Sequence, residues 1–348
     1  MGCNQSALSQ EKKYEKEREK CLLGKNHHYN SNLIHQPILP NKLKTQDQEG
    51  VYKAILSSFQ LKAIPLCQEI LLDAEILPDM KKDPGFLQLR TQLISESQTW
   101  PLNTLNSFFV FFNEGNPSHL KVFITGPEST PYAHGLFEFD IIFKDSLKNP
   151  PKVKFLTTGN HKVCFGPRLS NSGKVKLPLL GTAYARHKEE LWSSQRKISE
   201  ILFSLQGLIK TNNICEGDLE LESLKEDENA RRRLNKACGN IVKYCNIQFA
   251  MMEYINSPIP WLKNFAHTYF YLKKNIILKE VKKWLSAAQQ DDGYYEGLAS
   301  LYNLKYAAEL RKGNYFDKLS VLVQTLEKEL NDLKINTDSP ILQKFCQS

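Results

Sequence analysis

Apolar and polar positions repeat with two different periods along this chain, and the change of period divides it. Phe137, Phe139, Ile141 and Phe143 recur at every second position, the spacing of a strand with one buried face. Phe108-Phe109-Val110-Phe111-Phe112 is an apolar run of strand length, and His119 to Thr125 is rich in Val, Phe, Ile and Thr. Gly126-Pro127, Thr130-Pro131 and Asn149-Pro150-Pro151 punctuate these runs. Strands so closely spaced, with short turns, predict an antiparallel meander. From about residue 196 the period becomes helical, with Ile198, Ile201, Leu202, Leu205 and Leu208 on one face. The fold class is therefore α+β: a small antiparallel sheet flanked by helices, with helical extensions at both ends.

The same patterning sets an organisation in four parts. Residues 1–48 are polar and poor in hydrophobes, the composition of a flexible arm. Residues 49–83 hold two helical runs, Val51 to Leu61 and Leu66 to Leu77, broken at Pro65. Residues 84–288 form the main body. It opens with a helix over Phe86 to Gln98 and ends in a helical tail. The tail, from Asn240 to Leu285, carries too many large apolar residues to stand in water, Phe249, Trp261, Phe265 and Trp284 among them. Residues 289–348 add two more helical runs, near Tyr294 to Arg311 and Tyr315 to Leu333. In the second, Leu319, Leu322, Val323, Leu326, Leu330 and Leu333 make one stripe, able to fold back on the body or to meet a partner's groove.

Composition changes this picture little. A chain of 348 residues with 10% aromatic content can bury a sizeable core. The formal charge of +8 is mild and reads as spread along the chain. No basic patch interleaved with aromatics points to nucleic acid. The eight cysteines form no CxxC pair and no Cys/His set at zinc spacing, so neither a metal nor any other cofactor is expected. No signal peptide or long apolar run is visible, and a reducing cytosol suits the thiols.

The first residues do add chemistry. Met1-Gly2-Cys3-Asn4-Gln5-Ser6 fits an N-myristoylation signal at Gly2, with Cys3 available for a palmitate. One myristoyl chain holds a bilayer only marginally, so a second acyl chain or a basic patch is needed. Lys12, Lys13, Lys16, Arg18 and Lys20 could help, but Glu11, Glu15, Glu17 and Glu19 cancel most of their charge. The alternative is an unmodified polar arm. With acylation, the expected location is the cytosolic face of a membrane.

Residues 163–182 read Val-Cys-Phe-Gly-Pro-Arg-Leu-Ser-Asn-Ser-Gly-Lys-Val-Lys-Leu-Pro-Leu-Leu-Gly-Thr. This stretch resembles the active-site segment of the ubiquitin-conjugating enzymes: Phe-Asn-Pro-Asn, a short loop, Gly-Lys-Val-Cys-Leu, then Leu-Gly-Thr. Ile124 to Gly135 resembles the family's strand-and-turn motif, Pro150-Pro151-Lys152-Val153 its proline pair, and Ile201 to Ile209 its post-site helix. The tail with His267-Thr268-Tyr269-Phe270-Tyr271-Leu272 is similar to that of the giant BIR-repeat branch, although no BIR-type zinc module is present. The resemblance covers roughly 84–288 and implies the family's fold and ubiquitin or ubiquitin-pathway proteins as partners.

It also places Lys176 where the family has its catalytic cysteine, Arg168 where it has an asparagine, and Gly166 where many members carry a polar side chain. A thiolate is both nucleophile and leaving group, whereas lysine would form an amide that is not readily passed on. Removing one oxyanion-supporting donor typically costs about 10²–10³ in rate. The resemblance therefore implies a degenerate site at Gly166, Arg168 and Lys176, on a protein that binds rather than catalyses. A lysine that traps ubiquitin is the alternative at Lys176. Two further alternatives stay open for the chain: an active transferase using a displaced thiol, Cys164 or Cys215, and an assembly protein with no ubiquitin contact. Cys238, Cys245, His134, His267 and Trp192 read as packing or structural residues.

Overall fold

The structure is a computed structural model, and it describes residues 45–64, 84–113, 116–144, 147–212, 214, 228–289 and 315–334. Helix α1 (Thr45–Gln60) runs into strand β1 (Leu61–Ile64), and α2 (Pro84–Ser97) precedes the remaining strands. These are β2 (Phe108–Asn113), β3 (Asn116–Thr125), β4 (Leu136–Ile142) and β5 (Lys152–Phe155). Helix α3 (Ile198–Leu208) follows. Next comes α4 (Glu228–Cys245), which continues through a π-helical stretch (Asn246–Met252) into a last turn (Glu253–Ile255). Two long helices close the described chain, α5 (Pro260–Ala288) and α6 (Tyr315–Asp332).

The five strands lie in sequence order, and β2 to β5 are antiparallel as the alternation predicts. The expected helix over Val51 to Leu61 is present as the end of α1, and the edge strand β1 that follows it was not expected. After Gln60 the chain leaves the helix and pairs parallel to β2, Leu61 opposite Val110. The cause is non-local: the backbone of β2 offers an open edge, which local periodicity cannot reveal. The expected helix over Leu66 to Leu77 and the one over Tyr294 to Arg311 lie outside the described residues.

Register assigns the two faces of the sheet. Phe108, Phe137, Phe139 and Phe155 share one face. There Phe108 meets Phe203 of α3 at 5.1 Å between ring centroids, and Phe137 meets Phe165 at 5.2 Å. Helix α3 is held to α2 by Glu96, whose carboxylate accepts the backbone N–H groups of Ile198 (3.2 Å) and Ser199 (2.7 Å). Such a carboxylate satisfies donors that a helix start leaves open and matches its dipole.

Phe109, Phe111 and Phe123 occupy the other face, and α5 covers them. Phe265 lies 4.8, 5.2 and 5.4 Å from these three rings, and Trp261 stacks against Phe111 at 4.9 Å. The same face carries a buried charge cluster. Lys121 Nζ contacts Glu138 Oε1 at 2.5 Å and Asp140 Oδ1 at 3.0 Å. Tyr254 donates to Glu138 at 3.1 Å. The two carboxylates keep the Lys121 ammonium charged, raising its pKa despite burial. Phe249, Ile255, Phe265, Ile277 and Trp284 all join one continuous core with the sheet. The stripe Leu319, Leu322, Val323, Leu326, Leu330 and Leu333 on and just after α6 folds back onto the body and is buried. No helix among the described residues is long and apolar enough to cross a membrane.

Candidate functional site

The segment bearing Gly166, Arg168 and Lys176 forms a small hairpin off the β5 edge. Phe155 N–H donates to Gly173 O at 2.8 Å, and Lys154 bridges to Lys174, so the segment extends the sheet. Within it Leu169 bridges to Val175, Ser170 N–H donates to Lys174 O (3.1 Å), and Lys176 N–H donates to Arg168 O (3.0 Å). The turn between the two arms closes at Gly173, whose φ of 83° suits a residue without a Cβ. Asn171 N–H, inside this turn, donates to Cys164 Sγ at 3.1 Å.

Burial alternates along the hairpin as a strand requires. Leu169, Val175 and Leu177 point inward, while Arg168, Lys174 and Lys176 are exposed. The register makes Arg168 and Lys176 direct cross-strand neighbours. Opposed side chains in such a pair have Cβ atoms about 5 Å apart, and like charges there repel. Neither cation, nor Lys174, has an ion pair among the described residues.

The support is tight. Tyr132, buried in the turn after β3, donates its hydroxyl to Phe165 O at 2.6 Å and so fixes the start of the segment. The turn around Tyr132 is itself held by Asn246 from the π-helical stretch, whose amide donates to Pro131 O and Ala133 O, each at 3.1 Å. A Cβ on Gly126 would fall 1.7 Å from Tyr132 O, which is why a glycine stands there. After Lys176, Leu177 N–H donates to Thr182 Oγ1 (2.9 Å), closing the turn Pro178–Leu180. A cleft of about 110 Å³ lies beside the hairpin, lined by Tyr132, Gly166, Arg168, Leu169, Gly207 and Leu208.

The expected site residues fall as follows. Gly166, Arg168 and Lys176 share the hairpin, Gly166 buried with φ of 147° and the other two at the surface. Cys164 lies not on a strand but in the irregular connection before the hairpin, partly buried. Burial pushes its thiol pKa up, against the opposing effects of Asn171 N–H and the Lys176 charge. Cys215, Gly2 and Cys3 lie outside the described residues. Cys238 and Cys245 are core thiols. His134 is buried, and burial pushes it down to about 3, with Lys273 and Lys283 adding to the effect. His267 Nε2 lies 2.8 Å from Ile255 O, and Trp192 donates to Leu147 O at 3.1 Å. Among the described residues no group of three metal-ligating side chains occurs.

Sequence reading missed two things. Asn246 and the π-helical stretch gave no periodic signal. The charge is not spread evenly: from Ser146 to Lys188 there are seven lysines, two arginines and no Asp or Glu. That run was countable.

Comparison with known proteins follows the geometry. Residues 92–238 match the ubiquitin-conjugating enzyme family. The chain is 35% identical over 207 residues to probable ubiquitin-conjugating enzyme protein 17 of Caenorhabditis elegans, covering 59% of this chain and 28% of that protein. It is 36% identical over 205 residues to the human dual E2 ubiquitin-conjugating enzyme/E3 ubiquitin-protein ligase BIRC6, covering 58% of this chain and 4% of that protein. Human ubiquitin-conjugating enzyme E2 Z is 38% identical over 107 residues, 30% of this chain and 28% of that protein. The chain thus spans well under a third of the length of each of these relatives. The matched residues include strands β2 to β5, the hairpin and helix α3, and over them the chain carries a domain of the ubiquitin-conjugating enzyme family.

Proposed function

We propose that this protein is a catalytically inactive ubiquitin-conjugating-enzyme-like binding module or scaffold of the ubiquitin pathway, tethered to the cytosolic face of a membrane through Gly2 and Cys3. The observation that carries the reading is Lys176 with Arg168 opposite it, two exposed cations where the family has a thiol and an asparagine. A lysine at that point offers no thioester to pass on. The nearby thiol is a poor substitute. Cys164 is partly buried, its pKa is raised, and its sulfur is engaged by Asn171 N–H, all of which oppose the thiolate that nucleophilic attack requires.

The UBC relatives supply the partner class, ubiquitin or a ubiquitin-pathway protein. Titrating labelled ubiquitin with the purified chain and following its amide NMR shifts tests this. Saturable shifts confined to one surface of ubiquitin are the expected result. An unchanged spectrum at high micromolar concentration would favour an assembly protein without ubiquitin contact.

A further inference from the structure

The cationic surface around the hairpin has no role in a site that performs no transfer, yet it is the most one-sided charge distribution on the molecule. Forty-three consecutive positions, 146–188, carry nine cations and no acid. Several of them stand at the surface around the hairpin. Lys162, Arg168, Lys174 and Lys176 are exposed and have no ion pair among the described residues, and Arg186 and Lys188 extend the exposed run. The hairpin register even sets Arg168 and Lys176 directly opposite each other, an arrangement that costs stability unless an anion lies across it. The acidic groups nearest in the sheet, Glu138 and Asp140, are buried and committed to Lys121.

We infer that the hairpin face bearing Arg168, Lys174 and Lys176 docks on an anionic bilayer. The inference rests on the tethering part of the proposed function, and it supplies what that part lacks. A single myristoyl chain at Gly2 binds only marginally and needs a second signal, such as a polybasic surface. The stretch nearest the acyl site cannot be that surface, because Glu11, Glu15, Glu17 and Glu19 leave only +1 on residues 11–20. The folded domain can. Several exposed cations on one hairpin face suit a planar array of anionic headgroups better than one acidic peptide, and each surface cation strengthens attachment about fivefold. Reach is no obstacle. The 44 residues before α1 span at most about 150 Å, whereas a five-stranded sheet is about 19 Å wide.

The test is co-sedimentation of the unacylated full chain with vesicles, so that its outcome is separate from acylation. Phosphatidylcholine vesicles containing 30% phosphatidylserine should bind the protein, with binding lost in high salt, and pure phosphatidylcholine vesicles should not. Arg168→Gln/Lys174→Gln/Lys176→Gln should weaken partitioning roughly 100-fold. Lys263→Gln/Lys279→Gln/Lys328→Gln, with the same change of net charge on α5 and α6, should leave it nearly unchanged. Equal loss in both variants would overturn the inference, because net charge alone would then act. So would equal binding to both vesicle types, or a poly-glutamate peptide bound in a hairpin-dependent way while vesicles are ignored. Fractionation of Gly2→Ala in cells reads the acyl anchor by itself. A soluble Gly2→Ala protein together with failed vesicle binding would keep the tether and discard the docking face.

Discussion

Arg168 and Lys176 decide what the hairpin surface can do, while their inward neighbours hold its backbone. Both sit on the outward face of a hairpin whose inward residues, Leu169 and Val175, are fully packed, so the frame holds whatever the outer side chains are. Lys174-Val175-Lys176-Leu177 alternates strictly, and that much was legible in the chain. The pairing of Arg168 with Lys176 was not, since it depends on register across a turn. Lys273 illustrates the same limit. It reads as one more lysine on a helix, but it is buried and donates to Thr104 O, beside Glu49, which accepts from Thr104 N–H and Oγ1. Burial pushes its ammonium down to about 8, with Glu128 and Glu49 partly opposing. In an unfolded chain lysine titrates near 10.4. Between those values the unfolded chain holds the extra proton, so stability rises with pH from about 8 towards 10. Above about 10, buried Tyr52, Tyr254 and Tyr269, kept protonated in the fold, reverse the trend. Lys273 itself should contribute a gain of roughly 1–2 kcal/mol between about pH 8 and 9.5, opposed from about pH 8.5 by the buried Cys245 thiol in both proteins, so the urea stability of Lys273→Met relative to the unaltered chain should fall by that amount across the window. A slope unchanged in the variant would assign the effect elsewhere.

At the scale of elements, β5 was legible only through the resemblance of its proline pair, whereas local patterning identified β2, β3, β4, α3 and the α6 stripe from an apolar run or a simple period. It failed at β1 and at the π-helical stretch for a shared reason. Leu61 to Ile64 become a strand only because β2 has an open edge, and Asn246 is set inward only because the turn at Pro131 and Ala133 has carbonyls to satisfy. The covering of the outer sheet face by α5 is the largest energetic feature of this kind. Phe265 touches Phe59, Phe109, Phe111, Phe123 and Tyr269, which ties α1, the sheet and α5 into one packing unit. Phe265→Ala should cost about 3–5 kcal/mol, read as a shift of a single urea transition. Two separated transitions in the variant, or a loss below about 1 kcal/mol, would show that the helices and the sheet fold independently.

For the whole molecule, the motifs around the hairpin and the helical tail made the family legible before the fold was seen, and the matched span, residues 92–238, includes the entire candidate site. The distribution of charge was overlooked because the net value of +8 does not say where the charge lies: the acid-free stretch accounts for nearly all of it, and the rest of the chain is close to neutral. On the proposed reading, what separates this protein from an active relative lies at Lys176, Arg168 and Gly166. The central claim, that no transferable ubiquitin thioester forms, is tested most directly by charging the purified full chain with ubiquitin-activating enzyme, ATP and ubiquitin and resolving the products without reductant. The account predicts no reductant-sensitive adduct, and little restored charging in Lys176→Cys because Arg168 and Gly166 are altered too. A reductant-sensitive adduct of one ubiquitin on the unaltered chain, abolished in Cys164→Ser or Cys215→Ser, would contradict it.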